Sequence, residues 1–481
     1  MKNKRNRKSL SWFVLLCLVI LCGCQDELPN LPDPGSEVPE QPVEPSEPEK
    51  TLTLQDVLGA IPAISDTTWM MEEEGANVYE CIFRQPLDQF GESSYHLPQR
   101  IVIHFVSFDA PTVLMCSGYS LLYERCDVSR MLNANQIEVE YRYHGQSIPD
   151  GNYPDAAWSY LDSRQASADL HAIYEAFKPY FNSQWISTGV SKGGVNTAFY
   201  ALFHPGDMDL YVPFAAPFFT SLEDERVGQW INNGVATTEV REQMIQFIRM
   251  ALRRKEGVSR ALPIVSDIYQ GYDEEELVSF MPYLIFSTFL NRLAYEKLNL
   301  WSKQIPTEQA TDAQLAAFIL GDDQWKQRET LLKLKSVLTK SLVEEISDNP
   351  YYPQALKELG FYRMDLTPYA EELAEGLLTE QDALFWPYVG TAREQELLLP
   401  RYSNETTLRF LNEFLPTTTC KMIFVYGQND YWTGAAIEEY PSNPNIQRFI
   451  LPDVNHSDHV LSYPRMERYH IQQAIEKALA D

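Results

Sequence analysis

Two apolar rhythms alternate along residues 51–215. Short runs at Ile101–Val106, Thr112–Cys116, Gln136–Tyr143, Gln184–Thr188 and Leu210–Phe214 are rich in β-branched and aromatic residues and predict buried strands. The turn Asp109-Ala110-Pro111 separates the first two. Over Asp162–Tyr180 the apolar positions instead follow a helical period, with Ala166, Leu170, Ile173, Tyr174 and Phe177 on one face. Gly194–Phe203 predicts a second packed helix, ended by His204-Pro205. Strands joined through crossover helices predict a mostly parallel sheet.

From about Phe218 to Phe410 the rhythm changes. Glu239–Arg254, Asp273–Leu298 and Trp325–Glu345 predict helices, separated by polar, proline-bearing linkers with no comparable strand signal. Strands return at Cys420–Tyr426 and Gln447–Leu451, and Met466–Ala480 predicts a closing helix. The expected organisation is a sheet domain over 51–217 and 411–481, interrupted by a helical cap over 218–410.

The first residues address the chain. Lys2, Lys4, Arg5, Arg7 and Lys8 precede the apolar stretch Trp12–Leu21, which is too short to span a bilayer stably. Leu21-Cys22-Gly23-Cys24 then reads as a bacterial lipobox, so residues 1–23 form a lipoprotein signal peptide and Cys24 carries lipid. An ordinary secretory signal with incidental cysteines is the alternative. No second apolar segment of membrane-spanning length is expected, which leaves acyl chains as the membrane attachment. The cell envelope, periplasmic or surface-exposed, is the expected location. Residues 24–50, rich in Pro, Glu and Asp, form a tether that has too little apolar content to bury a core.

Beyond the tether remain roughly 430 residues, ample for a large core. The net charge of −28 becomes more negative once the basic leader is removed, which disfavours nucleic acid and anionic lipid headgroups as partners. Seven cysteines, three of them at or before Cys24, are too few for a disulfide framework, although Cys81, Cys116, Cys126 and Cys420 leave room for one pair. The chain has no C-x-x-C and no H-E-x-x-H, so neither a metal nor another cofactor is expected.

The chemistry begins at Gly189-Val190-Ser191-Lys192-Gly193. A strand before and a helix after it match the nucleophile elbow of the α/β-hydrolase fold, making Ser191 the candidate nucleophile. A serine hydroxyl needs a base, and the base needs an orienting carboxylate. In this fold they follow in the order Ser, acid, His, each in a loop after a late strand. Of eight histidines, four follow Ser191. His204 ends the elbow helix and His470 lies within the last helix, leaving His456 in Pro452-Asp453-Val454-Asn455-His456, with His459 as the alternative. Asp430 follows the strand ending at Tyr426 and is the candidate acid, with Glu438 and Glu439 as helical alternatives. The backbone amides of Lys192 and Tyr119, the latter in Cys116-Ser117-Gly118-Tyr119-Ser120, are the expected oxyanion donors.

Several strings then point one way. They are Gln85-Pro86-Leu87-Asp88, Glu140-Tyr141-Arg142-Tyr143-His144-Gly145-Gln146-Ser147, Trp158-Ser159-Tyr160-Leu161, Thr188 to Gly194, Ala215-Ala216-Pro217-Phe218, Tyr426 to Trp432 and Asn455-His456. In this order the chain resembles the secreted bacterial tripeptidyl aminopeptidases, serine peptidases related to lysosomal Pro-X carboxypeptidase and dipeptidyl peptidase II. The resemblance covers residues 78–220 and 415–460 and implies an α/β-hydrolase core, a helical cap over the triad, and exopeptidase action on short peptides, often near proline. It also implies the triad Ser191, Asp430 and His456. Tyr141, His144 and Tyr431 depart from the family pattern near the site.

An aminopeptidase must hold a free ammonium group, and a buried unpaired cation is costly. Glu140, expected late in a central strand, is one candidate, with a salt bridge to Arg100 or Arg142 as its equal alternative. Trp432 is a candidate for lining the substrate pocket. The leading expectation is a cell-envelope exopeptidase releasing short peptides, of tripeptide length, from free N-termini. A lipoprotein esterase or lipase with the same triad, or a non-catalytic peptide-binding lipoprotein, are the alternatives.

Overall fold

The computed structural model describes residues 52–91, 93–149, 160–262, 274–321, 350–384 and 392–480. The leader, Cys24, the tether, Trp158-Ser159 and the helix expected over Trp325–Glu345 lie outside them.

Nine strands form one sheet: β1 (Ile64–Glu73), β2 (Ala76–Pro86), β3 (His96–Phe105), β4 (Thr112–Cys116), β5 (Asn135–Val139), β6 (Trp185–Val190), β7 (Leu210–Phe214), β10 (Met422–Gly427) and β11 (Ile446–Leu451). A second, two-residue pairing joins β8 (Glu223–Asp224) to β9 (Phe361–Tyr362) within the insertion. The main sheet runs in the order β1-β2-β3-β5-β4-β6-β7-β10-β11. Its first three pairings are antiparallel, and every pairing from β5 to β11 is parallel. Short strands in this order, with helices in the connections, make the α/β-hydrolase fold.

β7 and β10 are apolar throughout because both of their faces are covered. Alternate residues of β10 show it: Met422, Phe424 and Tyr426 join the core beneath the helices Ser163–Phe177 and Lys192–Phe203, while Ile423 and Val425 join the core under the last helix, Arg465–Ala480. The predicted helix face of Ala166, Leu170, Ile173, Tyr174 and Phe177 is buried.

One strand is shorter than its apolar run. β5 stops at Val139, and Glu140–Tyr143 turn away, with Tyr143 at φ 68° and Gly145 at φ 54°. Glu140 therefore sits one residue beyond the sheet rather than late in a strand. The run misleads because, after Glu140 N–H donates to Arg100 O at 3.0 Å, its buried residues fold back into a loop, where Tyr141 N–H donates to Tyr119 O.

The insertion carries its own core. Phe247, Phe289, Phe318 and Trp301 meet at its centre, drawn from the helices Thr238–Arg253, Glu274–Tyr295, Asp312–Leu320 and Leu298–Trp301. By length and composition Leu277–Tyr295, 19 residues of mean hydropathy 1.3, is long and apolar enough to cross a membrane, contrary to the expectation of no second such segment. Here 67% of it is buried: it is the central helix of the insertion, apolar all round because neighbours surround it. Cys81, Cys116, Cys126 and Cys420 are all free thiols, so no pair forms among them.

Candidate active site

β6 delivers Ser191 into a sharp turn, at φ 59° and ψ −125°, and the helix begins at the next residue. A non-glycine residue in this region costs of order 1–3 kcal/mol and persists only where its surroundings impose it. Here the Ser191 N–H donates to Phe214 O at 2.9 Å and Val195 N–H donates to Ser191 O at 3.0 Å. The flanking glycines permit the turn. A Cβ on Gly189 would lie 2.4 Å from Gly193 O, and one on Gly193 would lie 2.3 Å from Cys116 O.

β10 and β11 deliver the other two residues. Asp430 is fully buried and caps the short turn Tyr431–Ala435, its Oδ1 accepting from Trp432 N–H at 3.0 Å. Its Oδ2 lies 2.7 Å from His456 Nδ1. An ionised carboxylate only accepts, so Nδ1 carries the proton and Nε2 is left as the basic atom. The imidazole packs against two aromatic rings, Trp432 at 4.4 Å and Tyr295 at 6.2 Å between centroids. His459 is exposed and is not among the residues that line the cavity shared by Ser191 and His456.

Ser191 and His456 line one cavity of about 360 Å³, together with Tyr119, Lys192 and Trp432. From the insertion and its approach come Pro217, Phe219, Tyr295, Tyr351 and Leu359, which the sequence did not single out for this role. Their aromatic character was visible, but nothing in helical periodicity separates a residue facing a cavity from one facing a core. The backbone amides of Tyr119 and Lys192 donate to no protein acceptor among the described residues.

The candidate ammonium partner is placed elsewhere. The Glu140 carboxylate accepts from Ser147 Oγ at 2.8 Å and from the Gln146 and Ser147 amides at 3.0 Å each. Leu121 N–H reaches it at 3.3 Å, and Arg100 Nη1 stands 3.8 Å away. All of this ties loops together, and among the described residues no carboxylate lines the cavity. Of the two salt bridges considered for Glu140, the contact with Arg100 is present. Arg142 pairs with Asp169 instead, at 2.7 and 2.8 Å in a fork, both side chains buried.

The three departures from the family pattern cluster here. Lys192 Nζ lies 3.0 Å from the centre of the Tyr141 ring. His144 packs against Tyr119 and Tyr141, and burial, helped by Lys192, lowers its pKa to about 2. Tyr431 packs against Trp432 in a tilted pair at 3.9 Å and meets Tyr362 of the insertion at 5.5 Å.

At the other end of the elbow helix, about 18 Å along its axis, His171, His204 and Asp207 converge with ligand atoms within 4.8 Å of one another. Such a group could hold a metal ion, and no zinc spacing in the sequence announces it. Its carboxylate is already engaged, by His171 Nδ1 at 2.7 Å and the Tyr200 hydroxyl at 2.5 Å.

The model of the PS-10 peptidase S37 family matches residues 46–285. A prolyl tri/tetrapeptidyl aminopeptidase from Streptomyces mobaraensis is 28% identical over 405 residues, covering 80% of this chain and 76% of its own. Among solved structures, proline iminopeptidase from Mycobacterium smegmatis aligns over 86% of this chain and 100% of its own, at TM-score 0.38 and 13% identity. A proline iminopeptidase-related protein from Thermus thermophilus aligns over 86% and 98%, at TM-score 0.33 and 11% identity. The chain belongs to the S37 family of serine peptidases, the tripeptidyl aminopeptidases, and is a serine hydrolase.

Proposed function

We propose that this protein is an envelope exopeptidase that removes short peptides, of tripeptide length, from free N-termini, with Ser191 as nucleophile, His456 as base and Asp430 as its orienting carboxylate. The observation that carries the reading is the 2.7 Å contact from His456 Nδ1 to Asp430, with His456 and the strained Ser191 facing one cavity.

The reaction follows from those positions. Ser191 Oγ attacks the scissile carbonyl carbon while His456 Nε2 takes its proton. The carbonyl oxygen becomes an oxyanion, to which the Lys192 and Tyr119 amides donate. Each such donor is worth about 3 kcal/mol of transition-state stabilisation. The imidazolium, held by Asp430, returns the proton to the departing amine, and the C–N bond breaks. Water then attacks the acyl-enzyme with His456 again as base, freeing the short peptide and Ser191. Aromatic side chains from the insertion and its approach, Phe219, Tyr295 and Tyr351, line the cavity beside these groups.

The Streptomyces relative's name favours substrates with proline near the scissile bond, and the aromatic lining suits a pyrrolidine ring. Attachment through lipid on Cys24 places the enzyme where extracytoplasmic peptides arrive.

The test compares a free tripeptidyl reporter with its N-blocked form. Turnover of the free form alone, lost in Ser191→Ala, supports the reading. Equal cleavage of both removes the aminopeptidase claim, and hydrolysis of short acyl esters without peptide turnover favours an esterase. Incorporation of labelled palmitate, lost in Cys24→Ala, tests the anchor.

A further inference from the structure

Lys192 has a side chain that the triad does not use. It is buried, 3% exposed, and its Nζ donates to Gly118 O at 2.8 Å. Burial holds its ammonium well below the ordinary lysine range, partly offset by the charge of Glu358. No carboxylate forms an ion pair with it among the described residues. Its other neighbours are the faces of Tyr141, at 3.0 Å, and Tyr119, at 5.5 Å. Aromatic faces recover part of the cost of burying a cation, but an apolar residue there would avoid that cost altogether.

The carbonyl it binds explains its presence. Gly118 C=O and Tyr119 N–H are the two ends of one peptide unit. In a planar trans peptide they point in opposite directions. A donor clamped on the carbonyl therefore fixes where the N–H points, and the Tyr119 N–H is the expected second oxyanion donor. The clamp has something to resist. Gly118 lies against the elbow, where a Cβ would sit 2.7 Å from Gly193 N, so the position must be glycine, and glycine lets a neighbouring peptide rotate cheaply. The loop's other ties form an upstream set, with Ser117 N–H donating to Val139 O at 3.3 Å, Ser117 Oγ to Glu138 at 2.8 Å and Asn196 Nδ2 to Ser117 O at 3.4 Å, and a downstream set, with Tyr141 N–H donating to Tyr119 O at 2.9 Å and Leu121 N–H to Glu140. Neither holds the plane between residues 118 and 119. The Tyr141 ring beneath the ammonium is itself anchored, its hydroxyl accepting from Gln354 Nε2 of the insertion at 2.8 Å.

We propose that the Lys192 side chain is a positioning residue for the oxyanion hole: by donating to the Gly118 carbonyl it locks the Gly118–Tyr119 peptide with its N–H turned toward the developing oxyanion, while the Lys192 backbone supplies the other donor. A hydrogen bond on the carbonyl also polarises that peptide and strengthens its N–H as a donor. The inference rests on Ser191 being the nucleophile.

The experiment uses the full chain with Lys192→Met, which keeps the bulk of the side chain and removes the donor, and Lys192→Gln, which keeps an amide donor. Four quantities are measured: kcat, KM, inhibition by a peptide aldehyde, whose serine adduct carries an oxyanion, and binding of the product peptide, which forms none. Lys192→Met is expected to lower kcat by about 10- to 100-fold and weaken the aldehyde by a similar factor. KM and product binding should stay within about twofold, and Lys192→Gln should recover part of the loss. Unchanged kcat and aldehyde affinity would overturn the proposal. So would a parallel loss of aldehyde and product binding, the signature of a general structural role. If Lys192→Met fails to fold, the split between aldehyde and product binding in Lys192→Gln decides alone. Wild-type protein inactive on the free reporter, or an active Ser191→Ala, would instead remove the underlying reading.

Discussion

Ser191, Asp430 and His456 stand on turns that leave β6, β10 and β11, whereas Tyr295, Tyr351 and Leu359 reach the same cavity from the insertion. The sheet side is set by backbone. Strand ends, a strained φ at Ser191 and close contacts at Gly189 and Gly193 leave those residues little freedom. The insertion side is set by side-chain packing on helices that carry a separate core. Reacting groups need sub-ångström placement, which rigid strand ends supply. A covering surface needs shape and apolar area, which helices can vary without disturbing the chemistry. The comparison predicts that strand-end substitutions act on kcat and insertion substitutions on KM.

The largest expected effect tests the sheet side. Asp430→Asn should lower kcat by about 10⁴-fold, the size known for triads of this kind, because the amide disfavours the imidazole tautomer that leaves Nε2 free. A fall of less than tenfold in steady-state kcat would mean that His456 is not oriented by Asp430.

Next comes the framework beneath the site. Asp169→Ala leaves the Arg142 guanidinium buried without its carboxylate. Loss of one partner from such a pair costs about 3–5 kcal/mol, so urea unfolding should shift by that amount while the folded fraction keeps its KM. An unchanged midpoint would show the pair to be dispensable.

Acid should find the same sheet at its antiparallel side. His104 is fully buried in β3 and neither ring nitrogen is hydrogen-bonded among the described residues. Burial first, then the charges of Arg125 and Arg130, lower its pKa from 6.5 to about 4. The unfolded chain takes up a proton near 6.5 and the native one does not. This contribution is therefore complete above 6.5 and is lost as pH falls toward 4, by up to about 3 kcal/mol. Stability curves against pH should show that slope, and His104→Met should flatten it.

The smallest effect belongs to the insertion. Tyr351→Leu removes an aromatic face from the cavity and should raise KM by about three- to tenfold, on the order of 1 kcal/mol, with kcat nearly unchanged. A kcat loss matching that of Asp430→Asn would collapse the distinction between the two sides.

Legibility follows the same division. The runs at Thr112–Cys116 and Leu210–Phe214 coincide with β4 and β7, because fully buried parallel strands write themselves as short continuous apolar stretches. Ser191, Asp430 and His456 could be named from turn chemistry at strand ends, and the fold brings Asp430 to His456 Nδ1 and His456 into the cavity of Ser191. Glu140 was misplaced because an apolar, aromatic run continues past the last ladder bond into a turn. The long apolar helix Leu277–Tyr295 was read as a helix but not as one of membrane-spanning length, since its hydropathy reflects neighbours such as Phe247, Phe318 and Tyr369, which are distant in sequence.

What the sequence determined by itself was local: the runs that became β3, β4, β6, β7, β10 and β11, though not β1 or β2, the turn that exposes a serine, and the acid and histidine that follow late strands. Those signals need only neighbouring residues, because periodicity and turn preference act over a few peptide units. The tertiary structure alone decided the partners of buried charges. Arg142 takes Asp169 rather than Glu140, Glu140 holds loops, and Lys192 turns back onto the carbonyl of a loop 74 residues earlier. Electrostatic and hydrogen-bond partners are chosen by distance in space, and no pattern along the chain encodes that distance.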